Sequence, residues 1–365
     1  MVGKFEYKKF SEIDINDPFF TSLKKDYPGS ATSTEFTRWF SNKAREGKKA
    51  LVFEDENGIG AFVNLKSDEA EEIHLTNGRI LPSEPRVKIT TIKIDSRFRR
   101  QRIGEGALGL TLWAWRNLKL DEIYVTVFEK HHDLTKLLEK YGFEYMGDNL
   151  NGEGVYLKDR RSLDFRDPCR AFPFISGQMR HAGCLAINMD YHDTMFAYSE
   201  LANTLQEKVD ISVANGLKKV YIGSPLKLAF EVNDPILIYR KYTGNHGKPG
   251  YKSVVTSYCV VTRMEQIKTK GILLRTYDDY IKIVGNKSVF PESKLREMYN
   301  DRPDLTIIEL LYCGYFGAGN NVNWRWLHDN QLWPDGHPMS FQYTKTQFES
   351  ILQRGGIDTN NVFAY

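Results

Sequence analysis

The hydrophobic pattern changes twice between residues 86 and 128, and this change limits the folds open to the chain. Residues 86–95, RVKITTIKID, alternate β-branched and polar residues, whereas residues 107–120, ALGLTLWAWRNLKL, are apolar at helical spacing. Residues 121–128, DEIYVTVF, return to a strand pattern. The sequence therefore predicts a strand, a helix through Leu118 and a second strand, which indicates a fold of mixed α and β elements.

A turn rich in arginine joins the first of these strands to the helix. It reads SRFRRQRIGEG and contains Arg97, Arg99, Arg100 and Arg102. The N-terminus of a helix carries N–H groups without helical partners and the positive end of the helix dipole. Gly104 and Gly106 permit an anion to approach the backbone, and arginine supplies bidentate hydrogen bonds. The turn therefore predicts a pyrophosphate site, with a solvated helix-capping loop as the alternative; neither G-x-G-x-x-G nor a P-loop occurs.

The rest of the first 160 residues continues the alternation of strands and helices. Residues 5–10 predict a strand, and residues 17–27 and 32–47 predict helices. Residues 48–66 predict a hairpin with an Asn-Gly turn. Residues 131–143 predict a helix closed by Gly142, before a last strand segment within residues 144–158.

In this order of elements, residues 1–160 resemble the GNAT acetyltransferase family. The family's turn, [Q/R]-x-x-G-x-[G/A], corresponds to RRQRIG from Arg99 to Gly104, and LLEKYGF, residues 137–143, falls where the family has its last helix. The resemblance implies acetyl-CoA as co-substrate, with its pyrophosphate bound by Arg99, Arg100, Gln101, Arg102, Ile103, Gly104, Glu105 and Gly106. It also implies a strand splayed from its neighbour, whose backbone at Ile92 and Ile94 holds the pantetheine and polarises the thioester carbonyl.

Two positions depart from the family pattern. Arg102 stands where the family has its first glycine, so either the pyrophosphate binds differently or the Arg102 side chain points outward, toward the 3′-phosphate or the acceptor. Leu138 stands where the family often has a tyrosine as general acid. Tyr141 is three residues further on, so it either reaches the same space or packs against the sheet.

The general base is expected in the segment between the strand at residues 121–128 and the helix at residues 131–143. Glu129, His131, His132 and Asp133 are the candidates there, and the family often has a cofactor-contacting asparagine where this chain has His131. A histidine is a suitable base because its pKa lies near neutral pH. The alternative is that KHHD, residues 130–133, is only the solvated start of a helix.

The C-terminal half has a different character. Residues 161–180 form a charged, proline-containing linker, and residues 181–365 contain several short strands with helices predicted at 291–300 and 344–355. Residues 218–225 and 233–242, followed by 252–264, give a strand, a loop, a polar turn and further strands. On these segments the half resembles the PUA-like barrels of the ASCH group, although the G-x-K-x-x-x-x-R signature, begun by Gly216 and Lys218, has Gly223 in place of its arginine. The expected fold is therefore α+β, a GNAT mixed-sheet domain (1–160) followed by a PUA-like β-barrel domain (181–365).

Two segments of the second half combine basic and aromatic residues. The first supplies Arg240, Lys241, Tyr242, Lys248, Tyr251 and Lys252. Basic groups contact phosphates and aromatic rings stack on splayed bases, so this set predicts an RNA surface. In NWRWLHDNQLW, alternation predicts Trp324 and Trp326 on one face of an extended segment, either as a stacking platform or as a hydrophobic lid.

Composition excludes several classes of protein. No run approaches the roughly 18 apolar residues of a membrane span, and the four cysteines are scattered without a C-x-x-C pair. We expect a cytoplasmic protein without a metal site, and the sequence leaves a homodimer open. The expected function is acetyl-CoA-dependent N-acetyl transfer to an RNA-linked amine, with a toxin acting on charged tRNA as one setting. The alternatives are a protein or small-molecule acetyltransferase with a docking barrel, and a non-catalytic binder of CoA and RNA.

Overall fold

The computed structural model describes residues 4–26, 34–201, 211–225, 228–245 and 248–365. The ends of two helices expected at Tyr27 and residues 32–33, and residues 246–247 of the basic loop, lie outside these ranges. The chain forms two compact units, one of residues 1–139 with 143–159 and one of residues 140–142 with 160–365. The segment 161–180, expected as a linker, is grouped with the second unit and contains a short helix and a short strand.

The first unit alternates strands and helices. Its elements are β1 (Lys4–Lys9), α1 (Thr21–Asp26), α2 (Thr34–Arg45), β2 (Lys49–Asp55), β3 (Gly58–Glu69), β4 (Ile73–His74), β5 (Ile80–Leu81), β6 (Arg86–Ile94), α3 (Ile103–Leu118), β7 (Glu122–Val127), α4 (His132–Lys140), β8 (Glu144–Asp148) and β9 (Gly154–Asp159). The predicted end of the long helix at Leu118 is confirmed, and Gly142 after α4 has a φ of 82°. Glycine suits that position because it adopts the left-handed conformation without strain.

Seven strands of this unit form one sheet in the order β1-β2-β3-β6-β7-β9-β8. The pair β6 and β7 is parallel, because α3 carries the chain back across the sheet, and the other pairs are antiparallel. The prediction of a mixed sheet in an α+β fold is therefore confirmed for this unit.

An aromatic cluster packs α1 and α2 against one face of the sheet. Its buried members include Phe20, Phe36, Phe40 and Phe62, and the Phe20 ring meets the rings of Phe40 and Phe62 edge to face. Such pairs add to the free energy gained by burying the rings. The helical spacing of Phe36 and Phe40 therefore reflects the packing of α2 in this cluster, to which the turn before α1 contributes Phe20 and β3 contributes Phe62.

The second unit contains more helix than the sequence predicts. Its elements are α5 (Pro168–Ala171), β10 (Ile175–Ser176), β11 (Gly183–Asn188), α6 (Met189–Met195), α7 (Ile211–Asn215), β12 (Lys218–Gly223), β13 (Pro235–Lys241), α8 (Pro249–Lys252), β14 (Val254–Thr269), β15 (Ile272–Leu273), α9 (Tyr277–Val284), α10 (Glu292–Asp301), β16 (Leu305–Tyr315), β17 (Val322–Asn323), α11 (Trp324–Asp329), α12 (Lys345–Arg354) and β18 (Phe363–Ala364). The expected helices α10 and α12 are confirmed, whereas α6, α9 and α11 were not predicted.

The main sheet of the second unit has the strand order β11-β13-β14-β16-β12. The long strand β14 pairs with β13 on one side and with β16 on the other. Helices α9 and α10 cover part of the sheet through Tyr280, Val284, Leu295 and Met298. The result is an open, barrel-like sheet, which agrees with the expected architecture in outline and does not by itself identify a PUA-like domain.

Candidate functional site

The first unit contains an opening between two neighbouring strands. The parallel ladder of β6 and β7 runs from Arg86–Glu122 to Ile89–Val125, yet β6 continues to Ile94 and β7 continues to Val127. Residues 91–94, which include Ile92 and Ile94, are half-buried, whereas Val87 and Ile89 in the paired half are buried. The strands therefore part after Ile89, as the resemblance implied for the segment with Ile92 and Ile94.

A β-bulge marks the point where the strands part. On β3, Asn64 lies opposite Thr91 and the next residue, Leu65, lies opposite Ile89. Thr90 is thus the extra residue of β6, and a bulge of this kind bends its strand and increases its twist. The Asn64 side chain, which is 3% exposed, donates a hydrogen bond from Nδ2 to Thr90 Oγ1 over 2.6 Å.

Interactions on the other side of the bulge hold β6 and β7 together. Arg86 and Glu122 form a buried ion pair between the two strands. Glu71 accepts hydrogen bonds from Lys88 Nζ, at 2.8 Å, and from the Tyr124 hydroxyl. Burial would raise the pKa of Glu71, but these two hydrogen bonds outweigh it and the pKa is lowered. Sequence reasoning missed all of these residues, since nothing local marks which strands become neighbours.

The arginine turn is anchored to the β2–β3 hairpin. Arg97 donates to the carbonyl oxygens of Asn57 and Gly58, at 2.9 and 2.8 Å, and pairs with Asp55. The ring of Phe98 is buried over Gly60, where a Cβ would lie 2.2 Å from the ring. Gly60 is therefore required for the close approach that fixes the turn at the end of β6.

Two arginines of the turn have the left-handed backbone conformation. Arg100 has a φ of 63° and Arg102 has a φ of 59°. A residue with a Cβ pays roughly 1–2 kcal/mol for this conformation, which glycine adopts freely. A glycine at position 102 would adopt this backbone without strain, whereas this chain adopts it with arginine.

The side chain of Arg102 does not point outward. Its guanidinium forms a two-point contact with the Glu105 carboxylate, at 2.8 Å from Nη2 and 3.3 Å from Nε. The two side chains are only 8% and 10% exposed. The outward orientation expected as one alternative is thus wrong, because a carboxylate three residues ahead on α3 draws the guanidinium in.

The remaining residues of the turn lead into α3 and leave its first N–H groups outside the helical hydrogen bonds. Gln101 N–H donates to Phe98 O, and Gly106 N–H donates to Arg102 O, so the N–H groups of Ile103 and Gly104 precede the helical ladder. A Cβ on Gly104 would lie 3.6 Å from Leu137 and 3.9 Å from Ile94. The bare backbone of Gly104 thus lies beside the open half of β6. Arg99 and Arg100 are exposed, whereas Ile103 and Gly106 are buried.

The candidate acid–base residues lie in two different environments. Glu129 and His131 are exposed on the loop after β7. Because β6 and β7 are parallel, this loop is at the same end of the sheet as the open half of β6. The backbone of His131 caps α4, since its carbonyl accepts from Leu134 N–H and Thr135 N–H. Tyr141 is fully buried, and its ring meets the Phe172 ring edge to face with the ring centres 5.8 Å apart. Of the two alternatives for Tyr141, the structure therefore shows packing in the core.

The predicted RNA set of the second unit divides into a buried residue and an exposed group. Arg240 is 6% exposed and makes two hydrogen bonds to Asp193, at 2.7 and 2.8 Å. Asp193 also contacts Nδ1 of the buried His192, whose Nε2 lies 2.7 Å from Thr256 Oγ1. Burial would raise the pKa of Asp193, but the hydrogen bonds from Arg240 and His192 hold it at about 2. The expectation that Arg240 contacts phosphates is therefore wrong, because this guanidinium is itself buried and is already bound by the Asp193 carboxylate.

The other members of the set remain on the surface. Lys241, Lys248 and Lys252 are exposed, and Tyr251 is 59% exposed. The Lys252 ammonium lies 4.8 Å from the centre of the Tyr242 ring, a cation–π distance. Lys218 of the incomplete ASCH signature is instead bound to Glu309 at 2.7 Å.

The tryptophan segment is a helix rather than an extended strand. Trp324 and Trp326 lie in α11, which begins with the Asn323 side chain accepting from Trp326 N–H at 2.8 Å. Residues two apart on a helix point in nearly opposite directions, so the predicted common face does not form. The helix nevertheless meets the basic loop, because the Trp324 ring lies over Gly250 of α8 and Trp324 N–H donates to Ser253 O. The two segments singled out in the sequence thus meet in one region.

Two kinds of feature are absent from the described ranges. Over those residues, no three His, Cys, Asp or Glu side chains gather as they would around a metal ion. No helix in the same ranges has the length and apolar content needed to span a bilayer.

Comparisons with known proteins show similarity to solved structures. No family model and no curated protein matches the sequence. Ard1 from Thermoplasma volcanium aligns with 43% of this chain and 95% of its own, at 14% identity and a TM-score of 0.31. The PaiA N-acetyltransferase from Thermoplasma acidophilum, in complex with coenzyme A, aligns with 43% of this chain and 99% of its own, at 11% identity and a TM-score of 0.30. A GNAT superfamily phosphinothricin acetyltransferase from Sinorhizobium meliloti, in complex with AcCoA, aligns with 44% of this chain and 89% of its own, at 14% identity and a TM-score of 0.33. At these values the similarities do not assign the chain to a family.

Proposed function

We propose that the first unit binds acetyl-CoA and transfers its acetyl group to an amine. One observation carries this proposal: the opening between β6 and β7 lies beside the start of α3 and its left-handed turn. Backbone groups of the open half of β6 can bind an extended, amide-bearing ligand. The helix N-terminus favours the negative charge at that ligand's other end.

The residues of the turn fit the anionic part of the cofactor. The N–H groups of Ile103 and Gly104, together with the exposed Arg99 and Arg100, would hold the diphosphate. Gly104 leaves its backbone accessible beside Ile94, where a side chain would otherwise project. Acetyl-CoA, when bound, supplies an acetyl group already activated as a thioester.

The open half of β6 has the second task, which is to orient the reacting carbonyl. Backbone N–H groups near Ile92 and Ile94 would polarise that carbonyl, as donors aimed at developing negative charge do. His131, or Glu129 beside it, would accept the proton that the amine releases, and both are solvent-exposed at the correct end of the sheet. Leu138 is buried and Tyr141 is packed in the core, so the acid is proposed to be solvent rather than a tyrosine.

Calorimetry with the full chain tests the cofactor. We expect coenzyme A to bind with micromolar affinity, and acetyl transfer to a panel of amines to release free thiol. Absence of coenzyme A binding by the folded protein would contradict the proposal. Binding without transfer to any amine would instead support the non-catalytic alternative, and transfer with RNA-independent kinetics would support a protein or small-molecule acceptor.

The acceptor is proposed to be an amine on RNA, and a separate observation favours this finer assignment. The helices α8 and α11 bring Tyr251, Lys252, Trp324 and His328 into one region, although they lie more than 70 positions apart in the sequence. The Trp324 and His328 rings are 5.0 Å apart, and the His328 side chain is 56% exposed. Cations beside accessible rings suit single-stranded RNA, whose bases are free to stack.

Salt dependence distinguishes this surface from a protein-docking module. We expect the full chain to bind single-stranded RNA, with an affinity that falls as salt rises because phosphate contacts release counterions. The double variant Tyr251→Ala, Lys252→Ala should weaken binding, whereas Arg263→Ala, an exposed cation elsewhere in the unit, should not. No RNA binding at low salt would remove the RNA assignment and leave the acetyltransferase proposal standing.

A further inference from the structure

Thr90 and Asn64 are joined by two hydrogen bonds at the place where the sheet opens. Asn64 Nδ2 donates to Thr90 Oγ1 over 2.6 Å, and Thr90 Oγ1 lies 3.2 Å from the Asn64 backbone oxygen, to which it donates. One hydroxyl thus contacts both the side chain and the main chain of the same residue on β3. Because Thr90 is the extra residue of the bulge, these bonds join the bulge itself to the neighbouring strand.

The two halves of β6 are held by different means. Before the bulge, the strand is fixed to β7 by the parallel ladder, by the Arg86–Glu122 ion pair and by the hydrogen bonds of Lys88 and Tyr124 to Glu71. After the bulge, the ladder to β3 continues from Thr91–Asn64 to Ile94–Ala61. The direction in which residues 91–94 leave β7 is therefore set by the ladder to β3 and by the geometry of the bulge.

We propose that Asn64 and Thr90 are positioning residues that set the shape of this opening for the extended arm of the cofactor. The inference rests on the proposed function, since it assigns these residues a role in binding acetyl-CoA. Neither residue reacts. The Asn64 side chain is almost fully buried, and the Thr90 hydroxyl is committed to Asn64. Their part is to hold the backbone of residues 91–94 where its N–H and C=O groups can meet the ligand.

Thr90→Val tests the inference with little change in volume, because valine replaces the hydroxyl by a methyl group. Thr90→Ser retains the hydroxyl and serves as the conservative rescue. Thr111→Val is the control for loss of a threonine hydroxyl elsewhere in the first unit: Thr111, unlike the exposed Thr90, is buried, and its hydroxyl donates to Ala107 O at 2.8 Å within α3. Each full-length variant is titrated calorimetrically with coenzyme A and with adenosine 3′,5′-bisphosphate, which lacks the pantetheine arm, and its thermal unfolding is recorded.

We expect Thr90→Val to weaken coenzyme A binding by about tenfold, the factor that one or two neutral hydrogen bonds contribute. Binding of adenosine 3′,5′-bisphosphate should be unchanged, and Thr90→Ser and Thr111→Val should bind coenzyme A as the unaltered protein does. Equal loss for both ligands, or no loss for coenzyme A, would overturn the positioning role while the proposed function stands. If the unaltered protein binds neither ligand, the proposed function and this inference fail together.

Discussion

Arg100 and Arg240 both lie in basic segments of the sequence, yet the fold uses them in opposite ways. Arg100 is exposed on the turn before α3, with a left-handed backbone and the helix N-terminus beside it. Arg240 is buried in β13, where Asp193 accepts two hydrogen bonds from its guanidinium. The first guanidinium is accessible to a ligand at a cost in backbone strain, and the second stabilises the fold at a cost in desolvation.

The difference shows which basic residues in a sequence indicate a binding site. Arg240 follows PILIY, an apolar run that forms a buried strand, and a cation in such a strand requires a partner inside the protein. Arg100 follows a strand end and precedes a helix, where backbone N–H groups already favour an anion. Local density of charge is therefore less informative than the element on which each charge lies.

The largest expected effect comes from breaking the Arg240–Asp193 pair. Arg240→Ala leaves the partly buried Asp193 carboxylate with only His192 beside it, and this should lower the free energy of unfolding by about 3 kcal/mol. Urea unfolding measures the change. Arg263→Ala, whose side chain is 46% exposed beside Glu265, is the control and should cost less than about 1 kcal/mol. Equal losses in the two variants would show that burial of the pair does not matter.

The next effect concerns the turn. Arg99→Ala combined with Arg100→Ala should weaken coenzyme A binding by about 10- to 100-fold, because two charge-assisted contacts are lost. Stability should change little, since both side chains are exposed. Calorimetry and thermal unfolding of the same samples separate the two properties. Unaltered affinity would place the anion elsewhere.

A smaller effect should appear in acid. The pKa of Asp193 is about 2 in the folded protein, whereas an aspartate in an unfolded chain has a pKa of about 3.9. The stability that this group contributes is thus present above about pH 4 and is lost as the pH falls toward 2. Urea midpoints at pH 7 and pH 3 should differ less in Asp193→Asn than in the unaltered protein. A difference of the same size in both would exclude Asp193 from the acid response.

The smallest effect separates strain from charge at one position. Arg100→Gly removes a Cβ from a left-handed residue, so the protein should lose no stability or gain about 1 kcal/mol. The same substitution removes a guanidinium, so coenzyme A affinity should fall. Arg100→Ala, which keeps the Cβ, should lower affinity equally and give no gain in stability. If the glycine variant binds more tightly than the unaltered protein, the backbone rather than the charge limits binding.

Much of the first unit could be predicted from the sequence because its signals are local. The change from alternating to helical spacing located β6, α3 and β7, and Leu118 ended the helix as expected. The positions of Arg99, Arg100 and Gly104 at the start of α3 followed from the same pattern. The bulge at Thr90 was not predicted: Thr90 and Thr91 together interrupt the alternation of ITTIKI, but a bulge also depends on the partner strand, which the pattern does not identify.

The second unit was harder to predict because its signals compete. Trp324 and Trp326 alternate as in a strand, but the Asn323 side chain caps a helix there, and an asparagine before an apolar turn was the signal to use. Tyr141 likewise shows that spacing in the sequence does not decide the role of a residue. Its spacing suited a general acid, and only the packing of its ring against Phe172 shows that it belongs to the core.

The open half of β6 places an unpaired strand edge in the middle of the sheet, whereas such edges usually occur only on the outermost strands. Unpaired edges of sheets accept an additional strand, and proteins normally cover or shorten them. Here the edge faces inward, toward β7, so a guest with alternating N–H and C=O groups can extend the sheet from within. Asp95 N–H bonds to Gly60 O on β3, so by the alternation of an antiparallel ladder the N–H groups of Ile92 and Ile94 face β7. The amide protons of these two residues should exchange with deuterium more slowly once such a guest is bound, which makes them direct reporters of occupancy.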